Sequence, residues 1–351
     1  MLAYKIIDGI GNLTSVIGNL VSIVSPFFAG LLMAYLLYIP ENKIERSYKK
    51  AKPRFIRKNA RKFAILTTYV IAILILVIII NFILPVLIES INELIGNMEN
   101  YYNRVIETYN NLPEDSIFKT EKVYNALKEL QNFDVQQYLS LDRITGYVKG
   151  VVGFATGIFD VFVAFVVSIY ILAERNEILS FFKKLTKSMF KEKTVNKIER
   201  YFYRANGVFF KFISSQFIDA LIVGILATIV MKILNIKYAT LLGFAIGLFN
   251  MIPYFGAIIA ISISAIITLI TGGLSKAAIM LVSIIILQQI DANIINPKII
   301  GDSLEISPIL VILSVTIGGG YFGVIGMFLG VPVAAILKIL VNDYIDNKLQ
   351  V

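Results

Sequence analysis

The chain has 351 residues, 57% hydrophobic and 16% charged, with a mean hydropathy of +0.76 and a net charge of +9. A soluble domain averages about 45–50% apolar and about 25% charged residues, so a soluble enzyme built round a large core is excluded. There are no cysteines and no histidines, which removes disulfides, thiolate metal sites, Cys or His nucleophiles and imidazole proton relays.

The apolar residues fall in blocks, and residues 64–80, 212–218, 239–275 and 306–337 carry no charge. About 20 such residues cross a bilayer as a helix, and the period-two alternation of an outer-membrane barrel is missing. The expected fold is all-α and polytopic, with about 7–8 membrane segments. No cleavable leader is expected at 1–20, because a basic start followed by a compact apolar core and a small-residue cleavage site is missing there.

Residues 1–88 are expected to hold the first membrane segments. Pro26 and Gly30 interrupt the block at 21–39, and a broken hairpin of two short helices is expected round Ser25-Pro26. The loop 40–63 carries ten Lys/Arg against Glu41 and Glu45, which places it in the cytoplasm by the positive-inside rule. That accounts for the basic excess better than nucleic acid does, so no nucleic-acid partner is expected. Residues 64–88 then cross outward. Segment 89–143 has ten Asp/Glu against five Lys/Arg and is too polar to span. Ile91, Leu94, Ile95, Met98, Tyr102, Val105 and Tyr109 recur at helical spacing. They predict a helix running on to about Asn111, stopped by Pro113, with a second helix at about Ser116–Leu130. Together these form an extracytoplasmic helical hairpin. Residues 144–173 return inward. Segment 174–210 is basic again, and Phe181, Phe182, Leu185, Met189 and Phe190 interleave with its lysines. That pattern suits amphipathic helices in the cytoplasmic headgroup layer.

The last part, 211–351, is expected to be the functional membrane core. Segments 239–271 and 306–340 are longer than one span needs. The first is interrupted by Asn250, Pro253 and Gly256, and the second by Gly318, Gly319, Gly320 and Gly323. Both breaks carry the same tripeptide, Tyr254-Phe255-Gly256 and Tyr321-Phe322-Gly323. Gly/Pro-interrupted hydrophobic segments in corresponding positions point to a transport site between half-helices, and a tilted continuous span is the other reading. If both are re-entrant or both span, the C-terminus is cytoplasmic, and only the side of the Asn296-Pro297-Lys298 loop changes.

Three polar sets stand in these apolar helices. Asp291 is the first candidate, because an ionisable residue in a membrane helix normally faces a cavity or a partner. Gln288 lies on its face, and Gln289, Asn293 and Asn296 form a second stripe. Asp219 follows, with Gln216 three residues before it, and Asp160 is third. Asn250 can cap exposed backbone, while Pro253, Gly256, Pro297, Gly319, Gly320, Gly323 and Pro332 are the candidate break and gating positions. No G-x-x-x-x-G-K-[ST] nucleotide signature occurs, so an ion gradient or the solute's own gradient would drive transport. No catalytic residue, metal or cofactor is expected. A structural membrane protein that recruits partners through segment 89–143 is the rival class.

The C-terminal motifs carry a resemblance. Gly247-Leu-Phe-Asn250-Met-Ile-Pro253-Tyr-Phe-Gly256, then Gln288-Gln-Ile-Asp291-Ala-Asn293-Ile-Ile-Asn-Pro297-Lys298-Ile-Ile-Gly301 with Ser307-Pro308, then Gly318-Gly-Gly-Tyr-Phe-Gly323-Val-Ile-Gly326 followed by Val331-Pro332 resemble the ordered signatures of the autoinducer-2 exporter (AI-2E) family of bacterial inner-membrane proteins. Where that family often has Glu and then Gly, this chain has Asp291 and Ala292, so the carboxylate is kept but shortened. The resemblance implies a secondary transporter or exporter in the bacterial inner membrane, assembled as a homo-oligomeric ring, a pentamer. Its substrate would be a small polar solute such as autoinducer-2. The alternative within the same family is sodium or lithium exchange for protons.

Overall fold

The computed structural model describes residues 2–111, 113, 114, 116, 119–121, 123–125, 128, 156–300 and 306–349. The described elements are α1 (Leu2–Lys49), α2 (Arg54–Lys58), α3 (Ala60–Ile78), a π-helical turn (Ile79–Ile83), α4 (Leu84–Gly96), α5 (Met98–Asn110), α6 (Thr156–Met189), α7 (Glu192–Ile233), α8 (Ala239–Asn250), α9 (Phe255–Ile290), a second π turn (Asp291–Ile295), α10 (Asn296–Ile300) and α11 (Pro308–Leu349). No strand occurs among the described residues. Among the described residues, five helical stretches are long and apolar enough to cross a membrane: Val24–Lys49, Ala60–Gly96, Glu192–Ile233, Phe255–Ile299 and Pro308–Asp346.

Several boundaries differ from expectation. α1 runs without interruption through Pro26 and Pro40. Each proline withholds one hydrogen bond, a loss that membrane helices tolerate because neighbours re-satisfy the freed carbonyl. The basic segment 40–63 is mostly helical extension of α1 and α3, with a short non-helical connection at 50–53. Likewise α6 and α7 carry their helices straight into the basic segment instead of leaving separate helices there. The run after α3 reaches Asn110, as the periodicity predicts, with an interruption at Asn97. Most of the second arm, and residues 129–155, lie outside the described residues. Where they are described, Tyr109 Oη donates to the Thr120 carbonyl at 3.1 Å, and the Tyr109 and Tyr124 rings lie 5.9 Å apart.

The chain forms two compact units. The first comprises residues 1–75 and 144–195. Here Gly30 of α1 meets α6 so closely that a Cβ would stand 2.7 Å from the Ala164 carbonyl oxygen. Ala34, Ile65, Tyr69 and Leu172 form the buried cluster, with Tyr69 Oη and Ser168 Oγ 2.5 Å apart. Above it sits a charge clamp that sequence reading missed. Arg175 of α6 donates to Glu41 at 3.0 Å and to Glu45 at 3.1 Å on α1, and its guanidinium lies 4.8 Å from the Tyr38 ring centroid. Arg61 Nε donates to the Leu172 carbonyl at 3.0 Å. Glu41 is fully buried, so removing its cation leaves a carboxylate away from water. Arg175→Met is therefore expected to cost about 3–5 kcal/mol, read as a fall in melting temperature in detergent. Lys49→Met, at a side chain 60% exposed and bonded to Glu45, is expected to cost less than about 1 kcal/mol.

The second unit comprises residues 76–143 and 196–351. Its core gathers Val223, Ala227 and Met231 of α7, Leu242 and Ile246 of α8, and Ala260, Met280, Ile284 and Leu287 of α9. On one straight rod Ala260 and Leu287 would stand about 40 Å apart. They share a cluster built round a stretch of α7 about 12 Å long, because α9 is interrupted at Gly273, whose φ of 81° and ψ of 176° are non-helical. α11 folds back more tightly. Gly323 has φ 59° and ψ −146°, a backbone conformation open to glycine and closed to most other residues. A Cβ on Gly318 would overlap the Gly326 carbonyl, and one on Gly330 would stand 2.5 Å from the Ser314 carbonyl oxygen. Residues 314 and 330 would be about 24 Å apart in a continuous helix, so the two limbs lie antiparallel and in backbone contact.

Candidate functional site

α7 ends in a Schellman motif: Ile236 N–H bonds the Met231 carbonyl at 2.9 Å and Asn235 N–H the Lys232 carbonyl at 3.0 Å, with Asn235 left-handed at φ 51°. α8 then runs back against α7. A Cβ on Gly247 would stand 2.7 Å from Gly224 Cα, and one on Gly243 would stand 2.6 Å from the Thr228 nitrogen. α8 stops at Asn250, and a turn through Pro253 leads to Tyr254, held at φ 63° and ψ −57° before α9 begins. Gly256 lies directly beneath the Phe249 carbonyl, where any Cβ would overlap that oxygen. The predicted break at Asn250, Pro253 and Gly256 is therefore a real one. It aims the end of α8 at the middle of α7.

Four of the sequence candidates meet there. Asn250 Nδ2 donates to Asp219 Oδ2 at 2.9 Å. Gln216 Nε2 donates to the Asn250 carbonyl at 2.8 Å, satisfying the backbone that the end of α8 exposes. The Asp219 and Asp291 carboxyls lie within hydrogen-bonding reach of each other, and Asn250 within reach of both. Asp219, Asn250 and Asp291 are 0%, 7% and 5% exposed. Yet Asp219 Oδ1 and Asp291 Oδ1 are buried with no donor, and no ion pair among the described residues reaches either group. The Asn250 amide serves Asp219, and each carboxyl keeps an oxygen that a proton, a cation or a further donor would satisfy.

The backbone is irregular at this point. Asp291 opens the π turn 291–295, and π turns interrupt helices frequently at functional sites. Ser215 Oγ donates to the Ile299 carbonyl at 3.3 Å, tying α10 to α7. The Asn296-Pro297-Lys298 loop expected from sequence is helical instead, with Pro297 the second residue of α10. The widened turn before it already gives up regular bonds, so a residue without an N–H fits there.

The other candidates lie elsewhere or act differently. Gln288 is half-buried with Nε2 unpaired. Gln289 and Asn293 are exposed, and Asn293 Nδ2 donates to the Gln289 carbonyl at 2.7 Å, so the second stripe satisfies itself. Asp160 is exposed near the start of α6. Gly319 and Gly320 lie at the end of the first limb of α11 and Gly323 at its reversal. Pro332 is buried inside the second limb and breaks nothing. The Phe328 ring, one turn before it, packs on Phe212 at 5.5 Å. Ser214, whose Oγ is buried and unpaired, was missed, because a serine in an apolar helix has no sequence mark of its own, whereas Ser215, four residues before Asp219, belongs to the face expected from sequence. A groove of about 660 Å³ in this unit lies along α4, lined by Ile80, Leu84, Pro85, Ile88, Glu89, Asn92 and Glu93, and shares no residue with the carboxyl pair.

Comparison with known proteins gives the family. YrrI of Bacillus subtilis, named as a candidate transport protein, is 31% identical over 139 residues, which is 40% of this chain and 39% of that one. YueF of the same organism, named likewise, is 24% identical over 319 residues, 90% of this chain and 83% of that one. A sodium-lithium/proton antiporter of Halobacillus andaensis is 23% identical over 246 residues, 70% of this chain and 67% of that one. The family described as AI-2E family transporter matches residues 9–346. The chain is a multi-pass membrane protein that belongs to the AI-2E family of transporters.

Proposed function

We propose that the protein is a secondary carrier that exchanges a small monovalent cation, sodium or lithium, for protons at Asp219, Asn250 and Asp291. One observation carries the reading: two buried carboxyls from distant parts of the chain lie beside one asparagine, whose amide serves Asp219, and each keeps an oxygen without a donor. Two negative charges so close and so far from water require a positive partner between them. A proton meets that need, and so does an alkali cation stripped of part of its water. The two cannot be present together, and that mutual exclusion is the elementary act of exchange. Asn250 orients both carboxyls, Gln216 fixes Asn250, and the interrupted helices α8–α9 and α11 supply re-entrant limbs whose movement opens the site to either side in turn. The antiporter relative supports the choice of cation.

A second reading, export of an autoinducer-2-like polar solute, is favoured by the family's description. The hydroxyls of such a solute would donate to the same two oxygens. In either case the frame is the same: seven or eight membrane segments, counting the limbs of α9 and α11 separately, with 40–63, 174–206 and the C-terminus cytoplasmic, 89–143 outside, and a homo-oligomeric ring, a pentamer, in the bacterial inner membrane.

The test is exchange in proteoliposomes under an imposed proton gradient, with sodium, lithium, potassium and a furanosyl diol offered separately. The expected result is proton movement on adding sodium or lithium but not potassium. Flux of the diol with no response to either cation would replace the first reading with the second.

A further inference from the structure

The two ends of α8 are held by different groups. Asn250 at one end belongs to the carboxyl site. At the other end, Lys237 Nζ donates to Glu93 Oε1 of α4 at 2.7 Å and to Tyr101 Oη of α5 at 2.7 Å. Tyr101 Oη and Tyr238 Oη are 3.0 Å apart, and the ammonium lies 5.3 and 5.1 Å from the two ring centroids. Tyr101 and Tyr238 are 4% and 8% exposed. Tyr238 is held left-handed at φ 61° immediately before α8, a conformation that strains a residue with a Cβ. Lys276 of α9 adds a bond to the Asn235 carbonyl at 3.1 Å. The turn that starts α8 is therefore fixed from three elements.

Between its ends α8 is a rigid, closely packed rod. Gly243 and Gly247 bring its backbone against Gly224 and Thr228 of α7, and Leu242 and Ile246 are buried beside Val223, Ala227 and Met231. A 12-residue helix is stiff and about 18 Å long, so any axial displacement at Tyr238 arrives undiminished at Asn250.

We infer that Lys237 is a positioning residue for the carboxyl site: its bonds to Glu93 and Tyr101 set the axial position of α8 and so place the Asn250 amide between Asp219 and Asp291. The inference rests on the exchange reading proposed above. Its bonds to Glu93 and then Tyr101 raise the Lys237 pKa above the usual lysine value. A raised folded pKa means that the clamp is fully formed below the ordinary lysine pKa and is lost only as pH rises through the higher folded value. It thus persists through about pH 10.

The experiment uses the full-length protein in proteoliposomes and measures the sodium concentration for half-maximal exchange alongside the maximal rate. Lys237→Met and Glu93→Gln should each raise the half-maximal sodium concentration about five- to tenfold while the maximal rate per folded protein stays within about twofold. The charge swap Glu93→Lys with Lys237→Glu should bring it back towards wild type. A purely structural role would lower the amount of folded protein and leave the half-maximal concentration alone. Wild-type half-maximal concentrations in both single variants would overturn the inference. If wild type itself shows no sodium or lithium response, the exchange reading has failed, and equilibrium binding of radioactive sodium to wild type and Asp291→Asn separates that outcome from failure of the clamp.

Discussion

Asp291→Asn is expected to raise the sodium concentration for half-maximal exchange about a hundredfold. The substitution keeps the size of the side chain and removes its charge. It also puts two amide donors next to Asp219, whose Oδ1 is at present unpaired, so the pair becomes self-satisfied and no longer needs a cation. Losing one member of a buried charged set costs about 2–5 kcal/mol, and 2.8 kcal/mol corresponds to about a hundredfold in affinity. The pH dependence has a definite sign. In wild type, protons and sodium compete for the same oxygens, so lowering the pH should raise the half-maximal sodium concentration. In Asp291→Asn one of the two carboxyls is gone, and that dependence should flatten. An unchanged sodium requirement in the variant would show that the carboxyl pair does not hold the transported ion, and would favour the structural role in which 89–143 is the essential segment.

Gly256→Ala is expected to have the next largest effect. The added methyl would occupy the position of the Phe249 carbonyl oxygen, and a backbone atom cannot swing aside as a long side chain can. Either the first turn of α9 or the last turn of α8 must move. Overpacking of this kind costs about 1–3 kcal/mol in stability. The residue that moves with Phe249 is Asn250, so the bond to Asp219 Oδ2 is lost as well, and exchange should fall at least about tenfold beyond the loss of folded protein. Gly320→Ala is the matched control. Gly320 is helical and has nothing within 4 Å of an added Cβ, so the substitution should be neutral or slightly stabilising. Melting curves and exchange rates measured on the two variants side by side decide the matter. Equal behaviour would mean that the break at 250–256 plays no part in holding the site.

The repeated tripeptide shows how far the letters alone could go. Both copies stand at helix interruptions, yet the left-handed residue is Tyr254 in the first and Gly323 in the second, so the shared letters do not share a backbone. The second break became a hairpin only because Gly318 and Gly326 let two backbones touch. The polar stripe of Gln289, Asn293 and Asn296 stood in the sequence as a second face beside Gln288 and Asp291. In the structure Asp291 is buried at the start of the π turn 291–295, while Gln289 and Asn293 are exposed.

What composition and patterning determined was the class of molecule: helices in a bilayer, acidic and basic segments between them, broken apolar segments near the end, and ionisable residues too costly to leave in lipid. Those follow from local quantities, the length of an apolar run and the charge of a loop, which need no knowledge of what lies beside them. The pairing of Asp219 with Asp291, 72 positions apart in the chain, was decided by the fold, because it depends on α8 ending where it does and on glycines that bring α7 and α8 into contact. The same holds for Arg175 between Glu41 and Glu45 and for Lys237 between Glu93 and Tyr101. A charge written in sequence has a sign but no neighbour, and only the packed helices supply one.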